Sequence, residues 1–342
     1  MKAVVVGSGS AGRRHTAALR ARLPTAELVV VRRPDSDQPL EPLADLGATV
    51  VHSLDDAVVD RADLAVVASP STHHVEPTLR FIAAGVPVLV EKPLASSYAE
   101  GETIRRAASR AVAPVLVGYH LRHSETPLAV RRALHGAALG GLLRAELTVG
   151  QHLEQWRPGS DPRRGVTARA ELGGGVLLEL SHELDALHWL VGPIETIHAR
   201  LLTEGAPTDG AVDTVADLAT TSSTGVSATV HLDMVSRSPR RRWRFVGTAG
   251  ELVADLLTGT VHLVRCGERV PLHQSAAGER DRAEVAMIAS LVDAAGARPI
   301  RGARESCSVD DAVHVLAAVE AARRSASTGT TVAVASGRAG VA

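Results

Sequence analysis

Over the first 120 residues, short apolar runs alternate with stretches of helical period. Ala3–Val6 reads as a buried strand from its length and β-branching, and a helix follows through Arg22. Leu28–Val31, Thr49–Val51, Leu64–Ala68, Val86–Val90 and Val115–Gly118 repeat the strand pattern. Helical stretches fall near Leu54–Val59, His73–Ala84 and Tyr98–Arg110. Strand, helix, strand at this spacing predicts a parallel sheet covered on both faces. Residues 1–120 therefore read as an α/β, doubly wound domain.

The period then changes. Val226, Ala228, Val230 and Leu232 alternate with Ser227, Thr229, His231 and Asp233, the pattern of a half-buried strand. SSTG at 222–225 reads as a hairpin turn from the preceding run. Further strands are expected at Leu142–Val149, Ile194–Leu202, Trp243–Val246, Glu251–Ala254 and Val261–Val264. Helices are expected at Pro127–His135, Val176–Leu190, Asp281–Ala295 and Val309–Ser325. Strands joined by short turns indicate a mostly antiparallel sheet with helices on one face, an α+β domain over 121–342. Residues 151–172 form a polar insertion without clear period.

Composition removes several function classes. Apolar residues make up 45%, enough for a real core, which excludes wholesale disorder. No apolar run approaches the roughly 18–20 residues of a membrane helix. Lys and Arg number 37 against 38 Asp and Glu, a balance that argues against nucleic acid as the main partner. Met1-Lys2 leads straight into AVVVG, so no signal peptide is expected and the location is read as cytoplasmic. Two cysteines, Cys266 and Cys307, fit neither a disulfide framework nor a cysteine zinc site. Of the 37 basic side chains only Lys2 and Lys92 are lysine. Arginine cannot replace an amine that must give up a proton, which singles out Lys92.

The segment GSGSAG places Gly7, Gly9 and Gly12 in a GxGxxG pattern, with Ser10 and Ala11 between them. A strand ends at Gly7 and a helix begins near Ala11, the context that separates a phosphate-binding turn from a merely structural one. The first glycine permits the tight turn, the second lets the backbone approach a pyrophosphate, and the third lets the helix pack on the sheet. The helix N-terminus adds free N–H groups and a positive dipole end. Where an NAD-selective site carries an acid at the end of the second strand, this chain has Arg32-Arg33. An arginine pair suits the extra phosphate of NADP, and NADP is favoured over NAD; the alternative is a solvated basic pair.

Glu91-Lys92-Pro93 follows an apolar strand, so Lys92 sits at the carboxyl end of the parallel sheet, where ligands of such sheets bind. The bland alternative is a strand-end lysine in solvent. In GGGVLLELSHELDALHWLVG, residues 173–192, three glycines open a helix in which His182 and Asp185 share a face and Glu179 lies one turn earlier. A His flanked by carboxylates can be held in one tautomer and tuned as an acid or base. No second His stands at HExxH spacing, since His188 is six residues on, and no metal site is predicted.

These residues together resemble the Gfo/Idh/MocA oxidoreductases, which include glucose–fructose oxidoreductase and inositol dehydrogenase. The resemblance runs through GSGSAGRRH with its trailing His15, SPSTHH ending at His74, AAGVPVLVEKP, the glycine-opened His helix and GTAGEL at 247–252. It implies a Rossmann domain followed by an α+β domain whose open sheet lies under the substrate and mediates assembly, as a homodimer or homotetramer. By motif position, Gly7, Gly9, Gly12, Ser69, Pro70, His74 and Glu91 are implied to contact the cofactor. Lys92 and His182 are implied to be the catalytic pair at the substrate hydroxyl, and GYHLRH places Tyr119, His120 and Arg122 near the substrate. There are two departures: Leu178 stands where the family has an acid, with Glu179 one residue late, and Arg33 stands where NAD-using members carry an acid.

The implied chemistry is hydride transfer between NAD(P) and a secondary alcohol or ketone of a sugar, nucleotide sugar or cyclitol. Trp156-Arg157 and Arg163-Arg164 in the insertion can stack on a sugar face and bind an anionic group, or belong to a solvated loop. The basic run Arg237–Arg244 reads as a solvated strand and bend. The alternatives are a glycoside hydrolase of the same family, working through transient oxidation, and a nucleotide-binding sensor.

Overall fold

The computed structural model describes residues 1–34, 36, 39–156, 159, 161–296 and 305–335. Contacts divide the chain into two units: Met1–His123 with Arg280–Val313, and Ser124–Glu279 with His314–Ala342.

The first unit begins β1 (Lys2–Val6), α1 (Ser10–Arg22), β2 (Glu27–Val31), α2 (Glu41–Ala44) and β3 (Ala48–Val51). It continues through α3 (Asp56–Val59), β4 (Leu64–Val67), α4 (Val75–Ala83), β5 (Val88–Glu91), α5 (Tyr98–Ala108) and β6 (Val115–Gly118). These strands pair in parallel in the order β6-β5-β4-β1-β2-β3. Every residue of β4 and β5 is buried, as a sheet covered on both faces requires. The strand order reverses between β1 and β4. At such a switch point the connections leave in opposite directions and open a crevice beyond the carboxyl ends.

In the second unit, α6 (Glu125–His135) is followed by β7 (Leu142–Gly150), α7 (Val176–Glu179), α8 (His182–Val191), β8 (Ile194–Leu202) and β9 (Val215–Ser222). Then come β10 (Ser227–Asp233), β11 (Arg240–Gly247), β12 (Gly250–Asp255), β13 (Thr260–Arg265) and β14 (Glu268–Gln274). Neighbouring strands are antiparallel except β7 and β10, which run parallel. Burial alternates along β9 and β10, so one face is covered by helices. The other face is laced with ion pairs such as Arg244–Glu251 at 2.7 Å and Arg242–Asp255 at 3.0 Å.

The chain then passes back. α9 (Glu279–Ala295) buries Met287, Ile288 and Leu291 in the core built from β1, β2, β4 and α1. β15 (Cys307–Ser308) adds an antiparallel edge strand to β6. α10 (Val309–Thr328) leads into β16 (Val332–Ala333), which pairs with β8. The fold class is the expected one: a Rossmann domain plus an α+β domain with a mostly antiparallel sheet. The division of the chain differs from a single boundary at 120, because the apolar stripe of α9 completes the first unit's core rather than the second's.

Two local differences have physical causes. Strand β14 was not expected, because ERVPLHQ lies at a sheet edge with most positions exposed and carries no alternation. The single helix expected at 176–190 is two helices. The backbone leaves helical geometry at Leu180 (φ −102°, ψ 22°), and α8 restarts at His182.

Candidate active site

At the switch point, Gly7 turns out of β1 with φ +115°, and a Cβ there would stand 2.6 Å from the carbonyl oxygen of Ala68. A Cβ on Gly12 would overlap the carbonyl of Gly7, so α1 seats on the turn only with glycine at that position. Gly9 differs: nothing lies within 4 Å of the space its Cβ would fill. It N-caps α1 without a side-chain acceptor, and the first turn, with Ser10 and Ala11, contains no acid. Tight packing at Gly7 and Gly12 with an open face at Gly9 is the arrangement a pyrophosphate needs.

Lys92 follows directly on β5 at the same edge of the sheet, half-buried, with a cis peptide to Pro93. Its backbone N–H donates to Glu91 Oε2 at 2.9 Å. Glu91 does not face outward. Its Oε1 meets His15 Nε2 at 2.7 Å, and His15 Nδ1 lies 3.7 Å from Glu284 Oε2 on α9. His15 is fully buried and Glu284 nearly so. Burial opposes charge on the imidazole, but the Glu91 hydrogen bond and the charges of Glu91 and Glu284 outweigh it, against Arg14. The His15 proton is held more tightly than usual. Burial likewise opposes charge on Glu91, yet the hydrogen bond and charge of His15, with Lys92 and His120, bring it down to about 2.

His74 is buried between two turns. Its Nε2 meets the Ser69 carbonyl at 2.7 Å, and its Nδ1 faces the carbonyls of Pro93 and Leu94 at 3.1 and 3.3 Å. Burial pushes its pKa down despite those carbonyls and the Glu91 charge. A neutral ring donates through one nitrogen only, so it bonds either the Ser69 carbonyl or those of Pro93 and Leu94, according to its tautomer. His74 thus lies packed between the Ser69-Pro70 turn and the segment after Lys92, with its ring turned inward.

The other expected residues divide. Arg33 is exposed beyond β2, whereas Arg32 is buried and its guanidinium donates to the carbonyl of Ser36, so the two side chains stand in different environments. Tyr119 is buried, and Arg122, 2% exposed, pairs with Asp311 at 3.0 Å within the first unit. Arg122 was expected at the substrate; its charge is committed to joining the end of β6 to the start of α10. His120 is half-buried. Trp156 donates from Nε1 to the Gln151 carbonyl at 2.9 Å, while Arg163 and Arg164 are exposed. Arg157 lies outside the described residues.

In the second unit, His182 opens α8, buried at the break between the two helices. The Asp213 carboxylate accepts from the N–H of Leu177 at 2.7 Å and fits against Gly175 (φ +100°), where a Cβ would sit 2.7 Å from it. Glu179, on the far side of the break, accepts from Thr167 Oγ1 at 2.9 Å. It therefore lies on a different helix from His182, a correction to the shared face expected of one continuous helix. Asp185 is buried one turn beyond His182. Glu183, with no exposed surface, takes two bonds from Arg241 at 2.7 and 2.9 Å. Arg241 belongs to the basic run expected to be solvated.

Asp213, Glu183, Arg241 and Glu284 carried no assigned role from sequence. Glu284 had a visible signal: it falls on the stripe with Met287, Ile288 and Leu291, a carboxylate at a core position.

Residues 1–119 match the profile described as oxidoreductase family, NAD-binding Rossmann fold, and residues 128–253 match the GFO/IDH/MocA C-terminal domain. The chain belongs to the Gfo/Idh/MocA family of oxidoreductases. It is 29% identical to an inositol 2-dehydrogenase of Streptomyces avermitilis over 193 residues, 55% of this chain and 52% of that one. It is 35% identical to a putative UDP-kanosamine synthase oxidoreductase subunit of Amycolatopsis mediterranei over 200 residues, 56% and 52% of the two chains. The chain thus spans about half the length of the curated relatives it matches. Levoglucosan dehydrogenase in complex with NADH shares the fold (TM-score 0.82, 18% identity, 98% and 99% of the two chains). GenD2 from gentamicin A biosynthesis, in complex with NAD, matches at TM-score 0.80 with 25% identity over 98% and 96%. Among the described residues no helix is long and apolar enough to cross a membrane.

Proposed function

We propose that this family member transfers hydride between a nicotinamide dinucleotide and a secondary alcohol or ketone of a sugar, nucleotide sugar or cyclitol. The observation that carries the reading is the open face of Gly9 at the strand-end edge that also presents Lys92. Gly7, Gly9, Ser10, Ala11 and Gly12 would hold the pyrophosphate, and Arg33 would meet a 2′-phosphate, favouring NADP. Hydride acceptance is the one step no side chain performs, and the cofactor supplies it. His182 takes the hydroxyl proton in oxidation and returns it in reduction, while the Lys92 ammonium hydrogen-bonds the reacting oxygen and stabilises its charge. A positioned acid/base contributes roughly 10²–10⁴ in rate. The relatives named for inositol and for a nucleotide sugar support a polyol substrate, and assembly into dimers or tetramers belongs to the same reading.

A paired titration of cofactor-stripped protein with NADPH and NADH, read by tryptophan fluorescence, tests this. NADPH binding at least about tenfold tighter, about 1.4 kcal/mol, is expected. Preference for NADH removes the role given to Arg33, and binding of neither removes the oxidoreductase.

A further inference from the structure

Within the first unit, a chain of polar contacts, buried at His15, Glu91 and Glu284, runs from the phosphate turn to the backbone of Lys92. Ser10 Oγ accepts from Arg14 at 2.7 Å, and Arg14 Nε reaches Glu284 Oε1 at 3.3 Å. Glu284 Oε2 faces His15 Nδ1, His15 Nε2 bonds Glu91 Oε1, and Glu91 Oε2 accepts the N–H of Lys92. Three elements distant in sequence contribute: α1 carries Arg14 and His15, β5 ends in Glu91, and α9 carries Glu284.

A buried carboxylate is costly unless paired, and here two of them share one imidazole. Neutral His15 has one N–H, which the Glu91 hydrogen bond uses; the imidazolium keeps that bond and adds a charge attraction to Glu284 across 3.7 Å, where no hydrogen bond forms. We propose that Glu91, His15 and Glu284 form a charged relay that fixes the Lys92 backbone relative to the phosphate turn. His15 and Glu284 are then positioning residues for Lys92. This deepens the function proposed above and rests on Lys92 as the group that hydrogen-bonds the reacting oxygen.

The groups facing the relay are all of known sign. Arg14 on α1 opposes the His15 proton, and Glu284 from α9 with Glu91 from β5 retain it. Lys92 and His120 act on Glu91, and His74 at the start of α4 feels Glu91 from its other side. The net effect raises His15 above an ordinary imidazole, so the relay keeps its charge to higher pH than a free imidazole does and loses it as pH rises further.

The chain holds only two lysines, Lys2 and Lys92, so protein labelled with ¹⁵N-lysine gives two lysine backbone amide signals. In the wild type the Lys92 signal titrates with a midpoint above that of free imidazole, and Lys2 does not follow it. Glu284→Gln removes one carboxylate and lowers that midpoint by at least about one pH unit. His15→Gln, which keeps a neutral donor towards Glu91, abolishes the titration. In turnover, Glu284→Gln shifts the alkaline limb of kcat to lower pH while cofactor Kd stays unchanged.

A Lys92 signal that still titrates in His15→Gln, or a midpoint unmoved in Glu284→Gln, overturns the relay. If His15→Gln does not fold, Glu284→Gln alone decides. Full turnover in Lys92→Ala would instead sink the catalytic reading, and the amide titration would still judge the relay.

Discussion

Two glycines a few residues apart separate the two demands placed on the phosphate turn. Gly12→Ala drives a methyl into the carbonyl of Gly7 and must displace α1, an overpacking of about 1–3 kcal/mol or more. Gly9→Ala enters open space and leaves the melting temperature unchanged, yet weakens cofactor binding by more than about tenfold, about 1.4 kcal/mol. Calorimetry of the two variants with and without cofactor checks both statements; equal loss of stability in each would mean that Gly9 is structural. Lys92→Arg should be as inactive as Lys92→Ala, because the planar guanidinium fork does not fit the place of a compact ammonium at the reacting oxygen. These residues were legible in the sequence because each stands where backbone geometry or chemistry admits one residue type. Glu91 and His74 were visible as motif members, but their inward direction was not, since motif spacing does not say which way a side chain points.

The elements that present His182 depend on anchors invisible to periodicity. The pattern over 176–190 reads as one helix, since its apolar residues recur without interruption. Asp213 and Arg241, which hold α7 and α8 separately, come from distant parts of the chain. Arg241→Ala leaves Glu183 charged and fully buried, which costs about 3–5 kcal/mol when a buried pair loses one partner. Urea unfolding should show that loss; a change below about 0.5 kcal/mol, the scale of surface substitutions, would mean the pair behaves as a surface bridge. Asp213→Ala removes a carboxylate cap and is expected to cost about 1 kcal/mol. Strand β14 escaped the sequence for the opposite reason: an exposed edge imposes no pattern.

For the whole molecule, the pattern identified both fold classes but not the return of α9 to the first unit. Its stripe of Met287, Ile288 and Leu291 announces a buried face without naming the core that receives it. A fragment of residues 1–120 should therefore expose that core and fail to unfold cooperatively, whereas adding 280–313 through a linker restores a transition in circular dichroism. Stability should also carry the signature of the buried relay. Glu91, depressed to about 2, contributes above its unfolded value and loses that contribution as pH falls towards 2. His15, raised, contributes fully below its unfolded value near 6.5 and loses it as pH rises through the folded value. Melting temperatures across pH should fall on both sides of a mildly acid optimum, and the alkaline fall should be absent in His15→Gln.

The proposed function stands or falls most directly on net hydride transfer between substrate and nicotinamide and on its dependence on Lys92. Wild-type protein and Lys92→Ala, each saturated with NADP⁺, would be offered inositols and hexoses while absorbance of the reduced nicotinamide is followed. Substrate-dependent reduction is expected of the wild type and none of the variant, with cofactor still bound in both. Equal rates in the two proteins would contradict it, as would glycoside cleavage without any accumulation of reduced cofactor.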